Sequence, residues 1–248
     1  MTTYQGSVQR VLWWPVKSLR GEEIGQARFD DRGMAGDRAY ALIDGRETHQ
    51  GRQLTVRQRP EMLHWRSGYD GGDAPVLTAP DGSVWKWDDP GLVAALTQSL
   101  GVPLSLRAAD GQQDRGPTVL VTAEASRVAL EEEMGGPVDL LRFRPNLHLS
   151  LDAPAFEEQD WSAGTVISVG EVELTVTGDH AGPCIRCAVP SWDPDGRERW
   201  PELQKHLIQR HENKFGVIMR VTRPGTVRRG DRATAVPVLD CAAPYGSS

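Results

Sequence analysis

Apolar and polar residues alternate over short runs along this chain rather than recurring every three or four positions. Two-residue alternation or β-branched enrichment marks segments 7–16, 38–43, 53–57, 84–87, 119–122, 146–149, 166–169, 171–177, 217–222 and 233–238, each expected as a strand. Glycine (26) and proline (17) punctuate these runs, the rhythm of a strand-rich protein. Three helices carry signals at their ends. Asp89-Pro90 sets a capping carboxylate before a first-turn proline, Leu92, Val93, Leu96 and Leu100 follow, and Gly101 closes the segment. Thr122 is expected to cap a helix over 123–134, with Val128 and Ala129 inward, Glu131, Glu132 and Glu133 outward, and Gly135-Gly136 at its end. The third spans 200–211, with Pro201 near its start. The polar loop at 110–116 is the expected joint between an N-terminal β unit, 1–110, and a larger barrel-like unit, 111–240, with a frayed tail at 241–248. The fold class expected is mainly β, of the α+β kind, with a few short helices.

Composition narrows the function classes. Of 248 residues, 34 are acidic and 28 basic, for a net charge of -6, which argues against a sequence-independent nucleic-acid binder. The longest strongly apolar stretch, Val11 to Val16, falls far short of the roughly 20 residues a membrane helix needs, so no membrane partner is expected. The first residues lack the charged-then-apolar pattern of a secretion signal, and a cytoplasmic location is expected. Three cysteines, Cys184, Cys187 and Cys241, make a disulfide scaffold a poor expectation and leave reduced thiols available for chemistry.

The sharpest local signal is Gly182-Pro183-Cys184-Ile185-Arg186-Cys187, where a guanidinium beside a thiol favours the thiolate, a better nucleophile and soft-metal ligand. A zinc site could use Cys184, Cys187 and His180, but no second Cys-x-x-Cys pair completes a tetrahedron. A redox pair would need a βαβ setting that the strand pattern does not offer. Two core cysteines in a strand remain the alternative. Basic groups beside turn-forming residues recur at Pro15-Val16-Lys17-Ser18, Gly36-Asp37-Arg38 and Thr55-Val56-Arg57-Gln58-Arg59-Pro60, where side chains and backbone N–H groups can converge on an anion. Each taken alone reads equally as a solvated charge or a local ion pair. Alternation in Leu141-Arg142-Phe143-Arg144-Pro145-Asn146 sets Arg142 and Arg144 on one face of an extended run, which, if buried, needs an anion or acidic partners.

Taken in order, these segments resemble the MOSC family, named for the C-terminal domain of molybdenum cofactor sulfurase, with its companion N-terminal β-barrel domain. Glu158-Gln159-Asp160-Trp161, Asp193-Pro194-Asp195-Gly196, Phe215-Gly216 and Pro224-Gly225-Thr226-Val227-Arg228-Arg229-Gly230-Asp231 extend the likeness over nearly the whole chain. Within the family the sequence is most similar to the amidoxime-reducing and hydroxylaminopurine-resistance molybdoenzymes. That resemblance implies a molybdenum–molybdopterin cofactor with Cys187 as metal ligand and catalytic centre. It places Lys17, Ser18, Arg38, Arg57, Thr118, Arg144, Asn146 and Arg186 around the pterin and its phosphate, with Cys184 nearby or in the core. It further implies removal of oxygen from a small N-hydroxylated or N-oxide substrate, with electrons from a separate ferredoxin-like or flavoprotein-like donor. The same thiol and basic groups would equally serve a carrier of the cofactor, or of a persulfide, without turnover. Asp193 and His180 are proton-carrier candidates for which a structural role is the first expectation. Val217-Ile218 stands where relatives carry a tyrosine after Phe-Gly.

Overall fold

Val8 and Val11 are buried on one side of β1 (Tyr4–Trp13) although they are three positions apart, an odd spacing. A β-bulge between Val8 and Arg10 shifts the register, so both side chains reach the same interior. The computed structural model describes residues 2–113, 116–178 and 189–238, and the backbone of 182–185. Along the chain follow β2 (Glu22–Ile24), β3 (Gln26–Asp30), β4 (Gly33–Met34), β5 (Tyr40–Asp44), β6 (Arg66–Gly68), β7 (Val76–Thr78), β8 (Val84–Lys86), helix α1 (Leu92–Leu100) and β9 (Leu104–Ala108). After these come β10 (Val119–Ala123), α2 (Glu124–Met134), β11 (Leu147–Leu151), β12 (Val166–Val169), β13 (Val172–Thr175), β14 (Gly182–Ile185), α3 (Pro201–Arg210), β15 (Lys214–Arg223), β16 (Gly225–Arg228) and β17 (Arg232–Val236).

Seven strands close into a barrel in the order β1, β17, β12, β13, β15, β10, β11 and back to β1. Every pairing is antiparallel except β10 with β11, whose connection passes through α2. Val8, Val121, Leu147, Leu149, Ile167, Leu174, Val217, Met219 and Ala235 fill the interior. The fold is thus mainly β with a closed barrel and three short α-helices among the described residues, in line with the sequence pattern. The barrel takes β1 from before residue 110 and its other six strands from after it.

The N-terminal unit wraps a second core, Leu42, Leu54, Val56, Met62, Trp65, Leu77, Leu92 and Leu96. It is built from β5 with β9 and from β6, β7 and β8, linked by bridges Val16–Tyr40, Arg20–Arg66 and Ile43–Gln53. A third cluster, Leu130, Val138, Phe143, Leu203, Leu207 and Phe215, fastens α2 and α3 to the barrel.

Local departures have local causes. The expected strand over 53–57 is largely a turn, closed by Gln58 N donating to Thr55 O at 2.9 Å and by Thr55 Oγ1 donating to Gln58 Oε1 at 2.6 Å. Val128 is exposed; Ser126 and Leu130 face the core instead, because packing of Leu130 with Phe143, Leu203, Leu207 and Phe215 sets the rotation of α2. Thr122 does not cap α2: its Oγ1 lies 2.9 Å from His148 Nδ1, and Ala123 occupies the cap position. The run carrying Arg142 and Arg144 is not extended. Leu140–Phe143 is a 3-10 turn, capped by Asp139 Oδ1 accepting from Leu141 N, and Arg144 follows in the left-handed region.

Candidate functional site

Where β1 ends, the chain lays Trp14-Pro15-Val16-Lys17 beside Arg38-Ala39-Tyr40. Arg38 N donates to Trp14 O at 2.8 Å, Lys17 N to Tyr40 O at 2.8 Å, and Tyr40 N to Pro15 O at 3.2 Å. Buried Asp37 accepts from Trp14 N at 3.2 Å and pairs with the Arg38 guanidinium. Burial pushes the Asp37 carboxyl up from its ordinary value, against the pull of Arg38 and its hydrogen bonds. Arg38 Nη2 then donates to the Arg144 carbonyl at 2.9 Å. Arg144 lays its guanidinium 4.2 Å from the Trp14 ring centroid and donates to Leu19 O at 2.7 Å, while the Trp14 indole N–H donates to Pro145 O at 2.7 Å.

Three of the segments singled out from the sequence thus meet around one indole ring. Lys17 Nζ donates to Gln53 Oε1 at 2.5 Å and reaches Gln113 O at 3.5 Å, which draws in the loop before β10. Gln113 N donates to Arg38 O, and Gln112 Nε2 donates to Thr118 O at 3.0 Å and Asp37 Oδ2 at 3.3 Å. Ser18 (φ 70), Arg38 (φ 49) and Arg144 (φ 55) are three of the six non-glycine residues with positive φ among those described. Such backbone costs of order 1–3 kcal/mol per residue and persists only where the surroundings over-determine it.

The other sequence candidates take different places. Asn146 is 1% exposed; its Oδ1 accepts from Leu120 N at 3.1 Å, its amide nitrogen faces Met34 Sδ at 3.4 Å, and its side chain hydrogen-bonds the Asp37 carboxyl, so it ties β10 to β4 and to the Asp37–Arg38 pair. Thr118 is buried and enters through its carbonyl. Arg57 is exposed on the 55–58 turn, and no described hydrogen bond joins it to Lys17, Arg38 or Arg144. Asp193 Oδ1 accepts from Arg197 N at 2.7 Å and Glu198 N at 2.9 Å, the structural role expected for it. His180, Arg186, Cys187 and Cys241 lie outside the described residues; for Cys184 only its backbone in β14, paired with β15, is described.

Gln53, Gln113 and Trp14 are partners that residue-type reasoning passed over, because amides and an indole carry no charge signal. Arg142, marked from the sequence together with Arg144, is half-buried. It donates to Pro190 O at 3.2 Å, lies 5.8 Å from the Trp200 ring centroid, and keeps a buried Nε with no partner among the described residues. Burial lowers its pKa. Arg142, Arg144, Trp14, Arg20 and Trp192 line one narrow cleft between the two units. A wider cleft of about 680 Å³, which Arg142 also lines, carries charges that are mostly paired: Arg10 with Glu23, and Arg127 with Glu124 and Glu131. We place the candidate site at the narrower cleft, where basic side chains outnumber acidic ones.

Asp37 offsets the charge of Arg38, so Arg20, Arg142 and Arg144, which line the cleft, supply the positive potential there, while Lys17 is held by Gln53 and Gln113. Planar guanidiniums and an orphaned buried N–H suit an anionic group, and in donor chemistry the described residues fit a pterin phosphate; the narrow cleft itself holds only about 10 Å³. A soft metal would take its protein donor from the cysteine pair, of which Cys187 lies outside the described residues.

Comparison with known proteins gives the same frame. The family model described as "MOSC N-terminal beta barrel domain" matches residues 5–114, and that described as "MOSC domain" matches 111–234. No curated protein matches the chain. The crystal structure of the YUAD protein from Bacillus subtilis is similar over 96% of this chain and 98% of its own, with a TM-score of 0.52 and 13% identity, which speaks to the fold alone. That of YiiM from Geobacillus stearothermophilus covers 48% of this chain and 53% of its own, with a TM-score of 0.36 and 22% identity. Two matching domain models in sequence order, a closed barrel, and a basic cleft where the units meet lead to one statement: this chain belongs to the MOSC family, which is associated with molybdenum cofactor binding.

Proposed function

We propose that this protein is a molybdenum-cofactor-dependent reductase that removes oxygen from N-hydroxylated or N-oxide compounds, with electrons from a separate ferredoxin-like or flavoprotein-like protein. The observation that carries this reading is the meeting of Arg38 and Arg144 around Trp14 at the seam of the two units, with Lys17 tied into the same seam through Tyr40 and Gln113. Arg144 and Lys17 would hold the anionic end of the cofactor, Arg142 would offer its unpartnered N–H, and Ser18 would present backbone N–H groups in its left-handed turn. Arg186 would favour the thiolate of Cys187, the metal's protein ligand. When bound, the cofactor would supply two-electron reductive chemistry, by which the substrate's oxygen leaves as water with two protons and two electrons delivered from outside. The chain's own part is to fix the cofactor's orientation and to neutralise its charge. The Arg38–Asp37 pair contributes no net charge and serves to brace the Arg144 carbonyl.

Protein made in cells that synthesise the pterin is expected to contain about one molybdenum per chain and to oxidise reduced viologen dye when given an amidoxime. Cys187→Ala is expected to lose the metal, and Arg144→Ala to weaken cofactor retention about tenfold or more, the worth of one charged hydrogen bond. Full molybdenum content in Cys187→Ala would remove that residue from its role. Molybdenum without dye oxidation would favour a cofactor or persulfide carrier.

A further inference from the structure

Away from the cleft, the C-terminal ends of α2 and α3 bring together three side chains that the proposed reaction does not use. Glu133 stands in the last turn of α2, His206 in the body of α3, and His211 at the C-cap of α3. The Nε2 atoms of both histidines lie 2.6 Å from the same oxygen, Glu133 Oε2. One ligand atom from each residue falls within 4.8 Å of the other two.

The local fold prepares this convergence. Five positions apart, two side chains on a regular helix would point about 140° away from each other. The helix breaks at His211 (φ -128, ψ 22), and this turns the second imidazole toward the first. His211 is held there by its own N–H donating to Leu207 O at 3.0 Å, by Lys214 N donating to its carbonyl at 2.7 Å, and by the Phe156 ring at a centroid distance of 4.1 Å. Its side chain is 9% exposed, against 22% for His206 and 31% for Glu133, so the cluster is anchored on one side and open to solvent on the other.

We propose that Glu133, His206 and His211 form a binding site for a divalent transition-metal cation of the Zn2+ class, which clasps α2 to α3. Two imidazole nitrogens and one carboxylate oxygen are donors of borderline softness, suited to Zn2+ or Co2+ rather than to Mg2+ or Ca2+. Bonds of about 2.0–2.2 Å in a tetrahedral shell set ligand atoms roughly 3.3 Å apart. The two histidine–glutamate separations therefore need to open by less than about 1 Å, a small adjustment for partly exposed side chains. Both helices end here, and the partial negative charge of their C-termini adds to the attraction for a cation. Three protein ligands leave a fourth position for water or for a donor from another molecule.

The test uses the full chain after chelator treatment and does not depend on the pterin cofactor. Calorimetric titration with Zn2+ is expected to show a saturable site that His206→Ala and His211→Ala each weaken at least tenfold and that Cys187→Ser leaves unchanged. Co2+ is expected to give visible bands without thiolate charge transfer, and Zn2+ to raise the thermal midpoint of the parent protein but not of either histidine variant. Should His211→Ala fail to fold, the more exposed His206→Asn and Glu133→Gln carry the same expectation. Absence of Zn2+ binding to the parent, binding unchanged in the folded histidine and glutamate variants, or binding lost with Cys187 would each overturn the site.

Discussion

Glu158 is 3% exposed, and only one of its carboxyl oxygens finds a partner: Oε2 accepts from Ser126 Oγ at 2.7 Å, while Oε1 has none among the described residues. Burial pushes its pKa up to about 7 from the ordinary 4.5. The folded protein therefore keeps this proton longer than the unfolded chain does, and stability falls as pH rises from about 4.5 to about 7, by about 3 kcal/mol in total. His148, between Thr122 Oγ1 and Glu124 Oε2, has its pKa lowered by burial and acts with the opposite sign, taking stability away as pH falls below 6.5. Glu158→Gln cannot ionise, so urea unfolding across pH 4.5–8 is expected to show the variant gaining about 3 kcal/mol relative to the parent over that range. A constant difference would mean that Glu158 titrates normally. Sequence reading marked the Glu158-Gln159-Asp160-Trp161 segment by its likeness to a family, and physics alone had no access to it, since burial of a glutamate is a property of packing. Arg38 and Arg144 were legible as cations at turns. Their left-handed backbone was not, because neither residue type favours it.

Helices α1 and α2 declared themselves through their C-terminal glycines but not through the expected caps Asp89 and Thr122, since Gly91 and Ala123 hold the cap positions with no side-chain cap. Leu92, Leu96 and Leu100 are buried as their spacing requires, and Gly101 and Gly135 take the left-handed conformation that closes α1 and α2. A Cβ at Gly101 would meet nothing within 4 Å, so Gly101→Ala isolates the backbone cost of φ 66. Thermal unfolding is expected to register a loss of about 1 kcal/mol with the fold intact; no loss would mean that the αL cap is not needed there. Strands of five residues or more with branched side chains, such as β1 and β15, were visible in the alternation. Short ones such as β2, β4 and β6 were not, because two or three residues hold too little periodicity, and their register comes from partners far along the chain. Helical periodicity likewise kept His206 and His211 apart, and only the break after Arg210 unites them.

Barrel closure depends on distant pieces of chain: β1 joins β11 on one side and β17 on the other. Gly6 is the tightest point of that seam, since a Cβ there would fall 1.7 Å from the Ser150 carbonyl oxygen. A chain starting at residue 14 would leave β11 and β17 with unpaired edges. It is expected to lose cooperative unfolding and expose apolar surface to a reporter dye, and a synthetic peptide of residues 2–13 is expected to restore both. Cooperative unfolding without the peptide would show that the other six strands close by themselves. The sequence revealed a barrel-like unit after residue 110 but not this borrowing, because alternation marks a strand without naming its neighbours. Synthesis runs from the N-terminus, so β1 leaves the ribosome over two hundred residues before β17, about 10–45 s at ordinary elongation rates. Throughout that wait Val8 and Val11 have no closed barrel to enter, so β1 carries unburied apolar surface until β17 has been made.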